Sequence, residues 1–335
     1  MALGLITVFM TLLGWSSVPL FIAYFSQSID IWTSNGWRYG FSALLWAPVL
    51  VTALLGRGTP PGLWRAALLP AVFNALGQVA FTAAFYSIDP ATATFGLRVQ
   101  IVFVAVGAYL LFPSEREVLR QPASWAGIGM VLLGVIGTIA FRDPSHEVVR
   151  SVTGRAPPWI GVLLAVSSGL FFAAYGLAVR RCTHGFHPVT AFAAISQYTA
   201  AAMLVLMLIF ARDTRTGAPD FGAGAWALPA GQFWLLLLSA VVGIALGHVF
   251  YYIAIARLGV AVSSGVIQLQ PFLVAVAQYY LFNQLLTGRQ LLSGVLAVCG
   301  ALTLLGVQWS TGRKAAAAAH PVVVPPPLPD HARHR

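Results

Sequence analysis

Ten apolar runs, each long enough to cross a bilayer as a helix, constrain the fold of this chain more than any other feature. A helix rises 1.5 Å per residue, so about 20 residues cross the roughly 30 Å of hydrocarbon. Lipid cannot satisfy backbone polar groups, and most of the runs lack the alternation of barrel strands, so helices are predicted. The runs lie at residues 2–25, 33–55, 64–88, 90–112, 123–141, 159–179, 188–211, 233–256, 258–282 and 290–309.

Composition gives the same answer. Of the 335 residues, 59% are apolar and only 8% are charged, whereas a soluble globular protein carries about 25% charged residues. This chain cannot cover a water-facing surface, which excludes an ordinary soluble enzyme, a disordered chain and a secreted disulfide scaffold. The sequence therefore predicts an all-α, polytopic membrane protein whose first partner is the lipid bilayer.

The net charge of +10 does not indicate a nucleic-acid partner. Lysine occurs once, at Lys314, and the arginines are scattered between apolar runs, whereas a phosphate-binding surface needs them gathered on one face. Eleven Lys and Arg residues lie on the side of the two termini and six on the other side. The positive-inside rule then predicts a plasma (inner) membrane protein with both termini in the cytoplasm.

The two halves of the chain resemble each other. Residues 77–112, shifted by 170 positions, give nine identities in 36 positions without a gap. The identical pairs are Gly77/Gly247, Ala91/Ala261, Gln100/Gln270, Val104/Val274, Ala105/Ala275, Val106/Val276, Tyr109/Tyr279, Leu111/Leu281 and Phe112/Phe282. Weaker matches align Arg38-Tyr39 with Gln197-Tyr198 and Gly127 with Gly294.

Each repeat therefore contains five spans, and this odd number requires the second copy to enter the membrane upside down. Inverted repeats are typical of alternating-access transporters, with the substrate site near the midplane between them. We predict a first repeat at residues 1–141, a connecting loop at 142–158, a second repeat at 159–309 and a tail at 310–335. The tail is rich in proline and alanine and is predicted to be disordered and cytoplasmic.

Several short motifs resemble those of the EamA-type members of the drug/metabolite transporter superfamily, over about residues 2–309. They are Gly14–Ser17, Arg38-Tyr39, Glu115-Arg116, Gly127 and Gly134. This resemblance implies a ten-helix secondary transporter that moves small metabolites, often outward. Amino acids and drug-like compounds are typical cargo of that family.

Arg98 lies about eight residues inside the fourth span, near mid-depth, where a charge is costly and needs a partner. All nine acidic residues fall in loops, at span ends or in the tail. One interpretation is that Arg98 anchors a carboxylate of the cargo, while Gln100, Gln268 and Gln270 bind its polar groups. The alternative is that the glutamines satisfy Arg98 and lock the fourth and ninth spans together.

A second polar stripe runs along the third and eighth spans. Asn74 and Gln78 share one face of the third span, as His248 and Tyr252 do in the eighth. The pKa of an imidazole is ordinarily near neutrality, so His248 is a candidate for coupling proton movement to transport. It could equally be a neutral hydrogen-bonding residue of a polar core. Tyr252 could stack on a cargo ring or belong to an interfacial aromatic belt.

Three further residues are singled out by their depth. Trp15 is too deep in the first span for an interfacial belt, so it lines the cavity or packs in the core. Pro271 should kink the ninth span beside Gln270 and form a hinge. Arg38, six residues into the second span, is within snorkelling reach of the interface, which favours a structural role.

Small residues at helical spacing mark the fifth and tenth spans. Gly127 and Gly134 in the fifth, and Ser293, Ala297 and Ala301 in the tenth, permit close packing between helices or between subunits of a homodimer.

The predicted function is a secondary transporter of a small polar metabolite, and the family resemblance implies that it works as an exporter. We expect neither catalytic residues nor a metal or other cofactor. The chain has no HExxH, GxSxG or GxxxxGK[ST] motif. The alternatives are a sugar-nucleotide or phosphorylated-metabolite carrier of the same superfamily and, in another class, a membrane-embedded enzyme.

Overall fold

The computed structural model describes residues 2–55, 58–142, 157–258 and 260–319, and the regular structure in these ranges is helical. A single β-bridge joins Arg212 to Pro219. The helices are α1 (Ala2–Phe25), α2 (Ile31–Leu55), α3 (Leu63–Phe85), α4 (Pro90–Leu97), α5 (Gln100–Leu111), α6 (Arg116–Arg120), α7 (Pro122–Ala140), α8 (Pro158–Cys182), α9 (Pro188–Phe210), α10 (Ala230–Ala240), α11 (Gly247–Leu258), α12 (Val260–Ile267), α13 (Gln270–Phe282) and α14 (Gly288–Ala319).

Nine helical segments in the described ranges are long and apolar enough to cross a membrane. Three of them are composite: α4 with α5, α10 with α11, and α12 with α13. The second predicted span, α2, is 25 residues long but is not among the nine. It carries the buried polar residues Asn35 and Arg38 in its first half. The all-helical fold is thus confirmed, with nine clear membrane segments in these ranges.

The distribution of polar and apolar side chains is the reverse of that in a soluble protein. Thr11, Ser168 and Thr199 are completely buried, while Leu133 and Leu292 are 64% and 72% exposed. A water-soluble surface rarely carries so much contiguous apolar area. The exposed leucines are placed to contact lipid, and the hydroxyls of Thr11 and Thr199 bond to helix carbonyls one turn earlier (2.8 and 2.9 Å). The hydroxyl of Ser168 has no partner among the described residues.

Two of the composite segments are interrupted at matching positions. α4 ends at Leu97 and α5 begins at Gln100, while α12 ends at Ile267 and α13 begins at Gln270. Both interruptions fall at the same place once the 170-residue shift of the repeat is applied. At the first, the backbone N–H of Arg98 donates to the carbonyl three residues earlier (2.9 Å), so the helix tightens to a 3₁₀-type turn rather than unwinding.

The third composite segment contains a π-helical turn at Val241–Leu246 between α10 and α11. The matching residues of the first repeat lie within the uninterrupted helix α3. A π turn accommodates an extra residue and often marks a functional position in a helix. The two repeats therefore share the interruptions but differ at this turn.

Helices α7 and α14 pack closely and run antiparallel. Gly127 lies against Leu304, and Gly137, further along α7, lies against Ser293, nearer the start of α14. The small residues of the fifth and tenth predicted spans thus contact each other within one chain. A homodimer through these two spans would have to use other faces of the helices.

Two more pairs of helices also run antiparallel. In α2 and α9, Gly36 faces Met207, and the carbonyl of Ala43 accepts a hydrogen bond from Gln197 (2.9 Å). In α4 and α13, the backbone N–H of Ala91 near the start of α4 donates to Gln278 near the end of α13 (2.8 Å). In addition, α3 packs on α8, and α1 packs on α11.

The segment between α9 and α10 covers the turn between α1 and α2. Asp30 caps α2 by accepting hydrogen bonds from the N–H groups of Trp32 and Thr33, and it also accepts one from the N–H of Arg212 (3.1 Å). Trp37 donates to the carbonyl of Gly222 (2.9 Å). These contacts attach a connection of the second repeat to the first repeat.

The last helix differs from the prediction for the tail. α14 continues to Ala319, so residues 310–319, expected to be disordered, are helical. The physical reason is the alanine run, since alanine has the highest helix propensity of all residues. The proline-rich part of the tail, and most of the predicted loop at 142–158, lie outside the described residues.

Candidate functional site

Arg98 lies in the interruption between α4 and α5, and its side chain is buried. Its Nε donates to the carbonyl of Thr94 (3.3 Å) and its Nη1 to the carbonyl of Ile267 (3.4 Å). Its Nη2 donates to Oε1 of Gln270 (2.8 Å). Ile267 is the last residue of α12, where carbonyls lack an intrahelical partner and the helix dipole is negative. Arg98 therefore joins the two interrupted segments.

The three glutamines that sequence analysis placed beside Arg98 have different environments. Gln270 is buried and uses both ends of its amide, because its Nε2 also donates to the carbonyl of Trp15 (2.7 Å). Gln268 is buried, and its Oε1 has no hydrogen-bond partner among the described residues. Gln100 is half-buried at the start of α5. Gln270 thus binds Arg98, whereas the side-chain amide oxygen of Gln268 has no partner among the described residues.

Aromatic rings surround His248. Its imidazole stacks on Phe192, with centroids 4.9 Å apart and planes 18° apart, and meets the edge of Trp15 at 5.4 Å. Its Nδ1 donates to the carbonyl of Ile244 in the π turn (3.0 Å). Tyr252 contacts Phe192 from another side (6.0 Å). These contacts place the half-buried His248 and Tyr252 in one aromatic cluster with Phe192 and Trp15.

Trp15 connects this aromatic group to the interrupted helices. Its indole N–H donates to the carbonyl of Gly243 in the π turn (3.1 Å), and its own carbonyl accepts from Gln270. Its ring also contacts Tyr251 at 4.9 Å. Pro271 occupies the first turn of α13, where its missing N–H removes no helix bond. The segment is interrupted beside Pro271, and α4–α5 is interrupted at the matching place without a proline.

The polar stripe of α3 points to α9. Asn74 is buried, and its Nδ2 donates to Oγ1 of Thr199 (3.1 Å), while its Oδ1 has no partner among the described residues. Gln78, one turn further, is half-buried. The structure therefore joins Arg98, Gln270 and Trp15 by hydrogen bonds and His248 to Trp15 by ring contact. It places Asn74 on a separate α3–α9 contact.

Sequence analysis missed the burial of Arg38. The residue is 2% exposed and is among the largest fully buried side chains, whereas snorkelling to the interface was expected. Its Nε donates to Oγ of Ser239, beside the π turn (3.0 Å). Six residues from a helix end is compatible with either placement. The signal that could have found the burial is the polar pair Asn35 and Ser42, which lie one turn before and one turn after Arg38 in α2.

Comparison with known families decides the class of the protein. The model of the EamA-like transporter family matches residues 2–140 and 159–306, which is most of the chain in two copies. The chain belongs to the EamA-like transporter family. As a member, it is an integral membrane protein of a transporter family rather than of an enzyme family, and the family resemblance found in its motifs is confirmed.

The fold of this EamA protein also occurs among solved structures. One crystal structure matches with a TM-score of 0.56 and 16% sequence identity, and the match covers 92% of this chain and 98% of that chain. At this identity the similarity concerns the fold alone. No curated protein matches the sequence.

A separate cavity lies at one end of the EamA bundle. It measures about 10 Å³, which is room for about one water molecule, and is lined by Ala23, Ser26, Phe85, Ile88, Asp89, Pro90, Phe282 and Gln284. None of the predicted site residues lines it. The polar residues around the helix interruptions are instead in direct contact with one another.

Proposed function

We propose that this protein is a secondary transporter that exports a small polar metabolite by alternating access of two inverted five-helix repeats. The repeats are residues 1–141 and 159–309, with α2 as the tenth membrane segment. Both termini lie in the cytoplasm, and the membrane is the plasma (inner) membrane. The protein uses no cofactor.

The direction of the counterpart helices supports the inverted arrangement. The pairs α2 and α9, and α7 and α14, each join a helix of one repeat to its counterpart in the other, and both pairs run antiparallel. The composite segments α4–α5 and α12–α13 are also counterparts, and the contacts of α4 with α13 show that they run antiparallel as well. If the two repeats crossed the membrane in the same direction, each helix of one repeat would be parallel to its counterpart in the other. Antiparallel counterparts are what an axis in the membrane plane produces.

The pattern of neighbours supports the same axis. The third segment, α3, packs on the sixth, α8, and the eighth, ending in α11, packs on the first, α1. The third segment corresponds to the eighth and the sixth to the first, so exchanging the two repeats converts one of these contacts into the other. Both contacts therefore follow from one two-fold relation, and each repeat completes its packing only against the other.

The matched interruptions are the observation that carries the proposal. In many secondary transporters, half-helix ends near the midplane bind the cargo, and the two repeats rock around this point. Here the interruptions at residues 98–99 and 268–269 meet through the bond between Arg98 and Gln270. Arg98 completes the exposed carbonyl end of α12, which fixes the relative position of the two repeats in this state.

Polar atoms that have no hydrogen-bond partner among the described residues indicate the chemical class of the cargo. Oε1 of Gln268 is buried without a partner, and the amide of half-buried Gln100 has no bond to another described residue. An unpaired buried amide oxygen costs about 1–3 kcal/mol. A small molecule with hydrogen-bond donors would recover this cost, and the rings of Trp15 and Tyr252 would provide apolar contact.

Transport by the purified protein in proteoliposomes tests the proposal. A thermal-shift screen against amino acids, organic acids and sugar nucleotides selects candidate cargo, because binding stabilises the folded state. The radiolabelled hits are then assayed for counterflow. We expect transport by the wild type and by Arg65→Ala, an exposed control, and a loss of at least tenfold for Arg98→Ala and Gln270→Leu. Folded wild-type protein that moves none of the screened compounds would contradict the proposal.

A further inference from the structure

Arg38 is a buried cation, and no carboxylate pairs with it among the described residues. Its guanidinium carries five N–H groups, but among the described residues only Nε has a hydrogen-bond partner, Oγ of Ser239. No carboxylate lies within 4.0 Å of it in these ranges. Asp30, the acid nearest to it in sequence, is eight residues away and already accepts hydrogen bonds from Trp32, Thr33 and Arg212.

An unpaired charge at this depth is unfavourable by several kcal/mol. Arg98 illustrates the usual solution, since three protein acceptors surround its guanidinium. The two arginines are therefore not equivalent: three acceptors in the described ranges bind Arg98, and one, Ser239, binds Arg38.

Groups next to Arg38 on α2 carry donors that have no partner. Asn35 lies one turn earlier on the same face of α2 and is 1% exposed. Its Oδ1 accepts a hydrogen bond from Thr82 (2.8 Å), and its Nδ2 has no partner among the described residues. The hydroxyl of Ser42, one turn after Arg38, is also buried without a partner. A cation surrounded by unused donors is the chemistry of an anion site.

Gly243 of the π turn lies beside this site. A Cβ atom there would overlap the side chain of Val18 and would lie 3.9 Å from Nη2 of Arg38, so a larger residue would displace Val18 next to the guanidinium. The opposite repeat does not form the same arrangement, because Gln197 replaces the arginine and donates to the carbonyl of Ala43, and because α3 has no π turn. The described residues therefore offer one such site.

We propose that Arg38, with the side-chain amide of Asn35, binds the carboxylate group of the cargo. Ser239 positions Arg38, because its oxygen accepts from Nε of Arg38 while its hydroxyl donates to the carbonyl of Leu236 (2.6 Å). A single guanidinium matches the charge of one carboxylate and its fork geometry, whereas a phosphate dianion would require further cations. The assignment rests on the proposed function, because the cargo reaches the buried site when α10 and α11 move relative to α2. Trp15 connects the site to the helix interruptions, through its bonds to Gly243 and Gln270.

The first test uses acetate as the probe. The unfolding temperature of the full-length protein in detergent is followed as chloride is replaced by acetate up to 100 mM at constant ionic strength, with acetamide as the neutral control. We expect the wild type and Arg65→Gln to be stabilised progressively by acetate and not by acetamide. Arg38→Gln should lose the response, and Arg38→Lys, which keeps the charge without the fork, should need at least tenfold more acetate.

Asn35→Asp is the decisive variant. The new carboxylate is one turn from Arg38 and keeps an oxygen for Thr82, so it should occupy the anion site and abolish the acetate response in a folded protein. An acetate response in Asn35→Asp and Arg38→Gln equal to that of the wild type would overturn the inference, as would the absence of any response in the wild type.

Counterflow in proteoliposomes separates this inference from the proposed function. Arg38→Gln should lose transport of a carboxylate cargo while transporting its amide analogue. Acetate binding that depends on Arg38 in a protein that transports nothing supports the site and contradicts the transporter. Unchanged carboxylate transport by Arg38→Gln supports the transporter and contradicts the site.

Discussion

Gly134→Ala tests whether contact between the helix backbones of α7 and α14 holds the two repeats together. Gly134 lies where the two helices approach most closely, and every neighbour of a Cβ atom added there belongs to backbone. The atom would be 2.6 Å from the carbonyl oxygen of Ser293 and 2.7 Å from Cα of Ala297. Ordinary contact begins at 3.4 Å. The backbone N of Ala297 would be nearer still. The helices must therefore separate locally by about 1 Å, since none of these backbone atoms can rotate away as a side chain could.

The expected cost follows from this separation. A gap of 0.5–1 Å removes about a quarter to a half of the van der Waals energy of each contact that it opens. Such packing is the main attraction between helices in a bilayer. Overpacking of this kind destabilises by about 1–3 kcal/mol. Gly129→Ala is the matched control, because a Cβ atom there meets nothing within 4 Å. Both variants gain the same helix propensity, about 1 kcal/mol, so their difference isolates the packing cost.

The assay is reversible unfolding in mixed detergent micelles, followed by far-ultraviolet circular dichroism. We expect Gly134→Ala to be less stable than Gly129→Ala by about 1–3 kcal/mol, with Gly129→Ala at or above the wild type. Equal stability of the two variants would refute the close backbone contact of α7 and α14.

Three further predictions concern the site and the loops. His248→Gln should flatten the pH dependence of transport measured between pH 5.5 and 8.5, since the imidazole is the proposed coupling group; an unchanged profile would leave His248 structural. Glu115→Gln breaks an ion pair with Arg180 (2.8 Å) that is partly exposed. It should lower the free energy of unfolding by about 1 kcal/mol or less, and a larger loss would contradict solvent screening. Hydrogen bonds from the N–H and hydroxyl of Thr216 lower the pKa of Asp213. The contribution of Asp213 to the free energy of unfolding should therefore be complete above pH 3.8, the ordinary pKa of this carboxyl, and should be lost as the pH falls further. Asp213→Asn should lack this pH dependence in acid unfolding.

Most of the helical framework could be predicted from hydropathy and length. The first span was predicted at residues 2–25 and is α1, Ala2–Phe25, and the seventh was predicted at 188–211 and is α9, Pro188–Phe210. Backbone hydrogen bonding in lipid leaves few alternatives to a helix once a run is long enough. The end of α14 was not predicted, because the alanine run was judged by its proline-rich neighbours rather than by its own helix propensity.

Pro271 allows a break in the ninth span to be predicted, but the interruption at Arg98-Val99 and the π turn depend on tertiary contacts and could not be. Nothing at Arg98-Val99 distinguishes it from regular helix, and the turn tightens there as Arg98 reaches the end of α12. Hydropathy cannot show whether Arg38 turns toward the interface or the interior. The repeat predicts Arg98, Gln100, Gln268 and Gln270 in one central layer, and Arg98 donates to Gln270, but the sequence cannot decide between cargo binding and helix locking.

The bonds between the repeats at the helix interruptions are few enough for cargo binding to exchange them. Trp15 has two hydrogen bonds to the second repeat, one at the π turn and one at Gln270, and Arg98 adds the bond to Gln270 and one to Ile267. At about 1 kcal/mol each for neutral pairs and 1.5–3 for those with the guanidinium, rearranging this layer costs roughly 5–8 kcal/mol. A carboxylate at Arg38 removes a penalty of several kcal/mol from a buried charge. The two quantities are comparable, so occupation of the Arg38 site can shift the balance between two arrangements of the repeats, whereas a neutral cargo of the same shape cannot.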